Sequence, residues 1–150
     1  MPELVLTTEI AAPIDRCFAM SLSVEAHASS MGPSGERIVA GVASGSMTLG
    51  DTVTWQARHF GLPFRMTSKI TAYEAPTRFV DEQTKGPFAS WWHEHRFQSS
   101  EDLTVMTDVV RYRSPIGPIG VLADRLVLER YMARLLTQRN DWLKLELERR

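Results

Sequence analysis

Between Glu36 and Arg113 the hydrophobic pattern has a period of mostly two and is cut repeatedly by turn residues. This block constrains the fold more than any other feature, because strict alternation gives a strand one buried face and one solvated face. Gly50-Asp51 precedes a run from Thr52 to Phe60, and Gly61-Leu62-Pro63 separates that run from Phe64 to Tyr73, which makes a hairpin candidate. Ala75-Pro76 precedes Arg78 to Thr84, Lys85-Gly86-Pro87 precedes Phe88 to Gln98, and Ser99 to Asp102 precedes Leu103 to Arg113. Consecutive strands joined by such short turns form an antiparallel meander.

The flanks complete an α+β plan. Glu3 to Ile10 alternates, with Leu4, Leu6 and Ile10 on one face and Glu3, Thr7 and Glu9 on the other. Pro13 suits the first turn of a helix carrying Ile14, Cys17, Phe18 and Leu22. A second short helix is expected over Val24 to Ser30, and Met31 to Gly35 reads as a loop. After Pro115, Gly117, Pro118 and Gly120, a long helix is expected from about Ile119 to Glu146. Its apolar stripe is Leu128, Tyr131, Met132, Leu135, Leu136, Trp142 and Leu143, and Arg139 falls on that same stripe. A curved sheet of six or seven strands with one long helix must wrap that helix to bury its inner face. The tail from Lys144 to Arg150 is expected to fray into solvent, with Leu145 and Leu147 free to touch a partner.

A chain of 150 residues fits one domain over residues 1–150 with a real core. The net charge of -1, without a basic stripe, argues against nucleic acid. No apolar run approaches the roughly 20 residues that cross a bilayer, so no stable membrane insertion is expected. The start Met1 to Pro13 lacks the pattern of a secretory signal. Cys17, the single cysteine, has no partner within the chain for a disulfide, which fits a reducing compartment. The expected location is therefore cytoplasmic. No phosphate-binding glycine loop is present, so no nucleotide cofactor is expected. A homodimer stays open on general frequency alone.

Several local phrases resemble the SRPBCC superfamily, the START-like or birch-allergen-like helix-grip fold. Ala12 to Phe18 looks like that family's first strand-to-helix junction, and Thr52 to Gly61 is similar to a strand of small bacterial members. Arg78 to Gln83, Gly86-Pro87-Phe88, His93-Glu94-His95-Arg96-Phe97, Asp108, Tyr112 and Pro115 to Pro118 continue the likeness, and Arg139 stands where such members also tend to carry arginine. The resemblance implies the helix-grip fold over nearly the whole chain. It does not imply one reaction, since the superfamily holds lipid carriers, polyketide cyclases and hydroxylase domains alike.

Alternation assigns faces. In Leu103 to Arg113 the inner set is Met106, Asp108, Val110 and Tyr112. In Phe88 to Gln98 it is Ala89, Trp91, His93, His95 and Phe97, with Glu94 and Arg96 in solvent. In Thr52 to Phe60 it is Val53, Trp55, Ala57 and His59. In Phe64 to Tyr73 it is Phe64, Met66, Ser68, Ile70 and Ala72. The tryptophans, Trp55, Trp91, Trp92 and Trp142, read as core and wall.

These sets outline an apolar pocket with a few inward polar groups, the usual build of a small-molecule site. Trp55, His59, Phe64, Met66, Trp91 and Met106 are its expected ligand-binding residues on the sheet, together with His93, His95, Asp108 and Tyr112. Met132, Leu136 and Arg139 are those on the helix.

His93 and His95 lie about 6.5–7 Å apart along one strand face. With His59 or Asp108 they could hold zinc, although the favoured reading is hydrogen bonding within the cavity wall and no metal. His93, His95 and Asp108 are also the candidates for acid–base chemistry. A buried bridge between Asp108 and Arg139 is the structural alternative. The expected function is binding or carriage of a lipid-like or aromatic, polyketide-like molecule, the alternative being a cyclase or dehydratase.

Overall fold

The computed structural model describes residues 3–59, 61–113 and 127–149. Phe60, the expected break from Pro115 to Gly120 and the expected helix start at Ile119 lie outside the described residues.

Seven antiparallel strands form one curved sheet: β1 (Glu3–Ile10), β2 (Arg37–Gly41), β3 (Thr52–His59), β4 (Leu62–Glu74), β5 (Arg78–Lys85), β6 (Ser90–Ser100) and β7 (Leu103–Arg113). Their order is β1-β7-β6-β5-β4-β3-β2, so β2 to β7 are a plain meander and the first strand closes against the last. Two short helices, α1 (Ile14–Leu22) and α2 (Val24–Ser30), follow β1, and a long helix α3 (Glu129–Glu148) follows β7. Pro13 stands before α1 in extended conformation. The Ser23 hydroxyl caps α2 by accepting from the Ala26 amide at 3.1 Å. Gly41 has φ 83°, and a Cβ there would lie 2.3 Å from the Thr52 carbonyl, so the close approach of β2 to β3 requires glycine.

Two apolar clusters pack between sheet and helices. Under α1, Phe18 meets Tyr73, Phe79 and Phe97 edge-on at 5.5–5.6 Å, joined by Met106, Leu143 and Leu147. The second cluster gathers Leu4, Trp91, Val110, Tyr112 and Leu136. Along β6, β7 and α3 alike, polar residues stand between these clusters: His93 and His95, Asp108, and Arg139 with Asn140.

Several local expectations are corrected. A bulge between Ile70 and Ala72 shifts the phase of β4, so Tyr73 rather than Ala72 turns its side chain to Phe18. Ala89 is exposed, because β6 begins only at Ser90. Glu94 is on the outer face yet 3% exposed, covered by Arg78 (2.5 Å) and Arg96 (2.6 Å). Trp92 is also outside, under the Arg111 guanidinium at 4.9 Å. The tail does not fray: α3 runs on to Glu148, Leu147 is 2% exposed, and the Glu148 carboxylate accepts from the Ala11 amide at 2.8 Å. Among the described residues no helix is long and apolar enough to cross a membrane.

Candidate functional site

Register on β5, β6 and β7 builds the site. Asp81 stands opposite His93, and His95 stands opposite Asp108. The hydrogen bonds nevertheless run diagonally, as long side chains on neighbouring strands can reach. His93 Nε2 meets Asp108 Oδ1 at 2.8 Å, and His95 Nε2 meets Asp81 Oδ2 at 2.7 Å. The directly opposite pairs are looser, with His93 Nδ1 3.9 Å from Asp81 and His95 Nδ1 3.4 Å from Asp108. The two imidazoles stack with centroids 3.8 Å apart, and Phe79 stacks on His95 at 4.0 Å. Each ring thus lies between two carboxylates.

Helix α3 closes the back of this arrangement. Arg139 Nη2 donates to Asp108 Oδ1 at 2.9 Å, Asn140 Nδ2 donates to Asp108 Oδ2 at 2.8 Å, and Arg139 Nε donates to the Asn140 side-chain oxygen at 3.1 Å. The Asp108–Arg139 bridge and the Asp108–His93 pair therefore coexist. Burial alone would raise the Asp108 carboxyl, but the Arg139 guanidinium and the bond to His93 outweigh it and hold it well below the usual range. Asp81 is likewise held low, burial being overcome by the His95 hydrogen bond and the neighbouring His93. His95 is pushed down to about 4, by burial first and His93 second, against the pull of Asp81. At neutral pH it is a neutral imidazole.

In front of this cluster lies a cavity of about 500 Å³. Its wall is mostly apolar and includes Trp55, Phe64, Met66, Trp91, Met132 and Leu136. Asp81, His93, His95 and Arg139 bring polar atoms to it. His59 also lines it, its Nδ1 2.6 Å from the Tyr131 hydroxyl, and burial lowers its pKa. Three expected pocket residues are not on this wall: Met106, Asp108 and Tyr112 face inward but are at most 1% exposed and lie behind it. Alternation assigns a face, and α3 packs over that part of the face.

Two residues were not foreseen. Asp81 alternates with Phe79 on β5, a pattern that would have placed it inside; the adjacent buried pair Phe79-Val80 obscures it. Asn140 is four residues after Leu136, hence on the buried face of α3 beside Arg139. The expected third metal donor is also corrected. Among the described residues, the donor group is Asp81, His93 and His95, whose ligand atoms lie within 4.8 Å of one another. Asp108 is turned to the backs of the rings, and His59 is held by Tyr131.

No protein-family model matches the chain. No curated protein matches it either. Solved structures do. TTHA0849 from Thermus thermophilus superposes with TM-score 0.74 at 18% identity, over 95% of this chain and 97% of that one. Protein Ms6760 from Mycobacterium smegmatis gives 0.72 at 20% identity, over 97% and 90%. Major latex-like protein 151 from Panax ginseng gives 0.66 at 14% identity, over 97% of both chains. At these low identities the superpositions show the fold alone, and the chain has the helix-grip fold.

Proposed function

We propose that the chain binds a small, largely apolar molecule, lipid-like or aromatic, whose polar group is received by Asp81, His93 and His95. The observation that carries this reading is the cavity of about 500 Å³, with aromatic and aliphatic walls and one buried polar cluster on its surface. That volume and composition match those of small-molecule sites in general. Native mass spectrometry of fresh protein, with intact and denatured masses compared, tests it together with titration of a fluorescent naphthalene sulfonate probe. An added mass of small-molecule size that leaves on denaturation, or saturable probe uptake, is the expected result. Met132→Trp, which projects bulk from α3 into the cavity, should weaken probe binding by about tenfold or more. A bare mass combined with no probe uptake sinks the reading.

A second reading, proton transfer on a carbonyl ligand as in a cyclase or dehydratase, is favoured by one observation. The imidazole of His95 lies on the cavity wall, oriented by Asp81 at 2.7 Å and neutral at physiological pH. Under it, His95→Ala and Asp108→Asn would abolish turnover of a bound carbonyl compound while leaving its affinity largely intact. Under simple carriage they would change affinity alone.

A further inference from the structure

We propose that Asp81, His93 and His95 form a site for one divalent transition-metal ion, zinc by its donor set, open toward the cavity. Two imidazoles and a carboxylate are a recurrent zinc triad when a fourth position is left free. Their donor atoms converge within 4.8 Å. Tetrahedral coordination with bonds of about 2.0–2.1 Å places donors roughly 3.3 Å apart. The separations from Asp81 Oδ2, 2.7 Å to His95 and 3.9 Å to His93, straddle that value.

The far sides of the rings support the same assignment. Metal-ligating histidines typically donate their other ring N–H to a carboxylate, which fixes tautomer and orientation. Asp108 Oδ1 occupies that position for His93, 2.8 Å from Nε2, and lies 3.4 Å from His95 Nδ1 without a hydrogen bond. The other ring nitrogen of His93, Nδ1, faces Asp81 Oδ2 across 3.9 Å, beyond hydrogen-bond reach. Among the described residues, His95 Nδ1 finds no hydrogen-bond partner although it is buried. Coordination through Nε2 would place the ring proton on Nδ1, facing Asp108.

The ion site stands whether or not the cavity carries an organic ligand, and its test reads the ion alone. Untagged protein is treated with chelator, dialysed and titrated by calorimetry with Zn²⁺ and, in parallel, with Co²⁺ followed by its visible absorption. One ion per chain, a raised melting temperature and the bands of a low-symmetry Co²⁺ site are expected. Asp108→Asn should weaken binding roughly 10–100-fold, as loss of an outer partner does. Asp81→Asn, which keeps the size of the side chain, should weaken it further still. No stoichiometric uptake by the parent chain overturns the proposal, and so does Asp81→Asn binding as tightly as the parent. Far-UV circular dichroism and melting confirm that each variant compared is folded.

Discussion

Strands β6 and β7 bury two very different environments within a few residues. At one end Phe97 and Met106 pack with Phe18 and Leu143 in a purely apolar cluster; one step further in, His93, His95 and Asp108 form an interlocked polar belt with Arg139 and Asn140. The apolar end is held by many small terms, with roughly 1.5–3 kcal/mol for a fully buried large side chain. Trimming one member there leaves no charge or donor orphaned. The belt is held by mutual satisfaction, so its members stand or fall together. Proximity in sequence therefore says little about how a residue fails.

The largest effect should come from cutting the belt at one point. Arg139→Met leaves Asp108, 1% exposed, without its guanidinium, and breaking a buried pair in this way costs about 3–5 kcal/mol. Adding Asp108→Leu removes the orphaned charge as well. The double variant should be destabilised by clearly less than the sum of the singles, with a coupling of at least about 1 kcal/mol. It should not return to the parent value, because His93 Nε2 and Asn140 Nδ2 then lack their acceptor. Denaturant melts of all four proteins measure this directly, and additive singles would show that the belt is no more cooperative than the apolar end.

That contrast bears on how far the sequence could be read. Alternation correctly separates the inner from the outer face on β3, β6 and β7, because each carries several large apolar residues at one parity. It misses Asp81, where Phe79 and Val80 are both buried and parity is ambiguous. It loses phase after Ile70, since a bulge leaves no mark in composition. Depth is invisible to it: Asp108 and Tyr112 share a face with His93, yet α3 covers them and leaves His93 on the cavity wall. Nor does a pattern show that Glu94, on the outer face, is roofed by two arginines. The long-range pairings that make the belt depend on register across three strands and a helix, which no local signal specifies.

Acid should separate the two regions next. His95 has its folded pKa lowered to about 4 from 6.5, so between these values the unfolded chain holds a proton that the folded chain refuses. Stability therefore rises with pH across this window and is lost as pH falls from about 6.5 to about 4. The amplitude is on the order of 3 kcal/mol at most. Below that window the depressed carboxyls of Asp108 and Asp81 act in the same direction, their contribution being present above the ordinary carboxylate range and lost beneath it. Thermal melts with chelator present, repeated for His95→Gln, check it. The variant should lose most of the upper part of the pH dependence, and an unchanged profile would assign the effect elsewhere.

The smallest effect concerns the residue that joins the two regions. Phe79 meets Phe18 edge-on at 5.6 Å on its apolar side and stacks on His95 at 4.0 Å on the other. Phe97 belongs to the same apolar cluster, touches Phe18 at 5.5 Å and stacks on the Phe79 ring at 6.1 Å; among the described residues it makes no ring contact with either histidine. Replacing either by leucine removes a comparable amount of packing and aromatic contact, about 1–1.5 kcal/mol in each case. Equal losses of stability should therefore have unequal consequences at the cavity. Phe79→Leu frees the His95 ring to tilt away from Asp81, so probe or Zn²⁺ affinity should fall several-fold; Phe97→Leu should leave both within about twofold of the parent. If both variants weaken binding equally, general loosening of the domain explains the loss and the belt has no privileged neighbour. If neither does, His95 is held by Asp81 and His93 alone, and the polar belt is more self-contained than its contact with Phe79 implies.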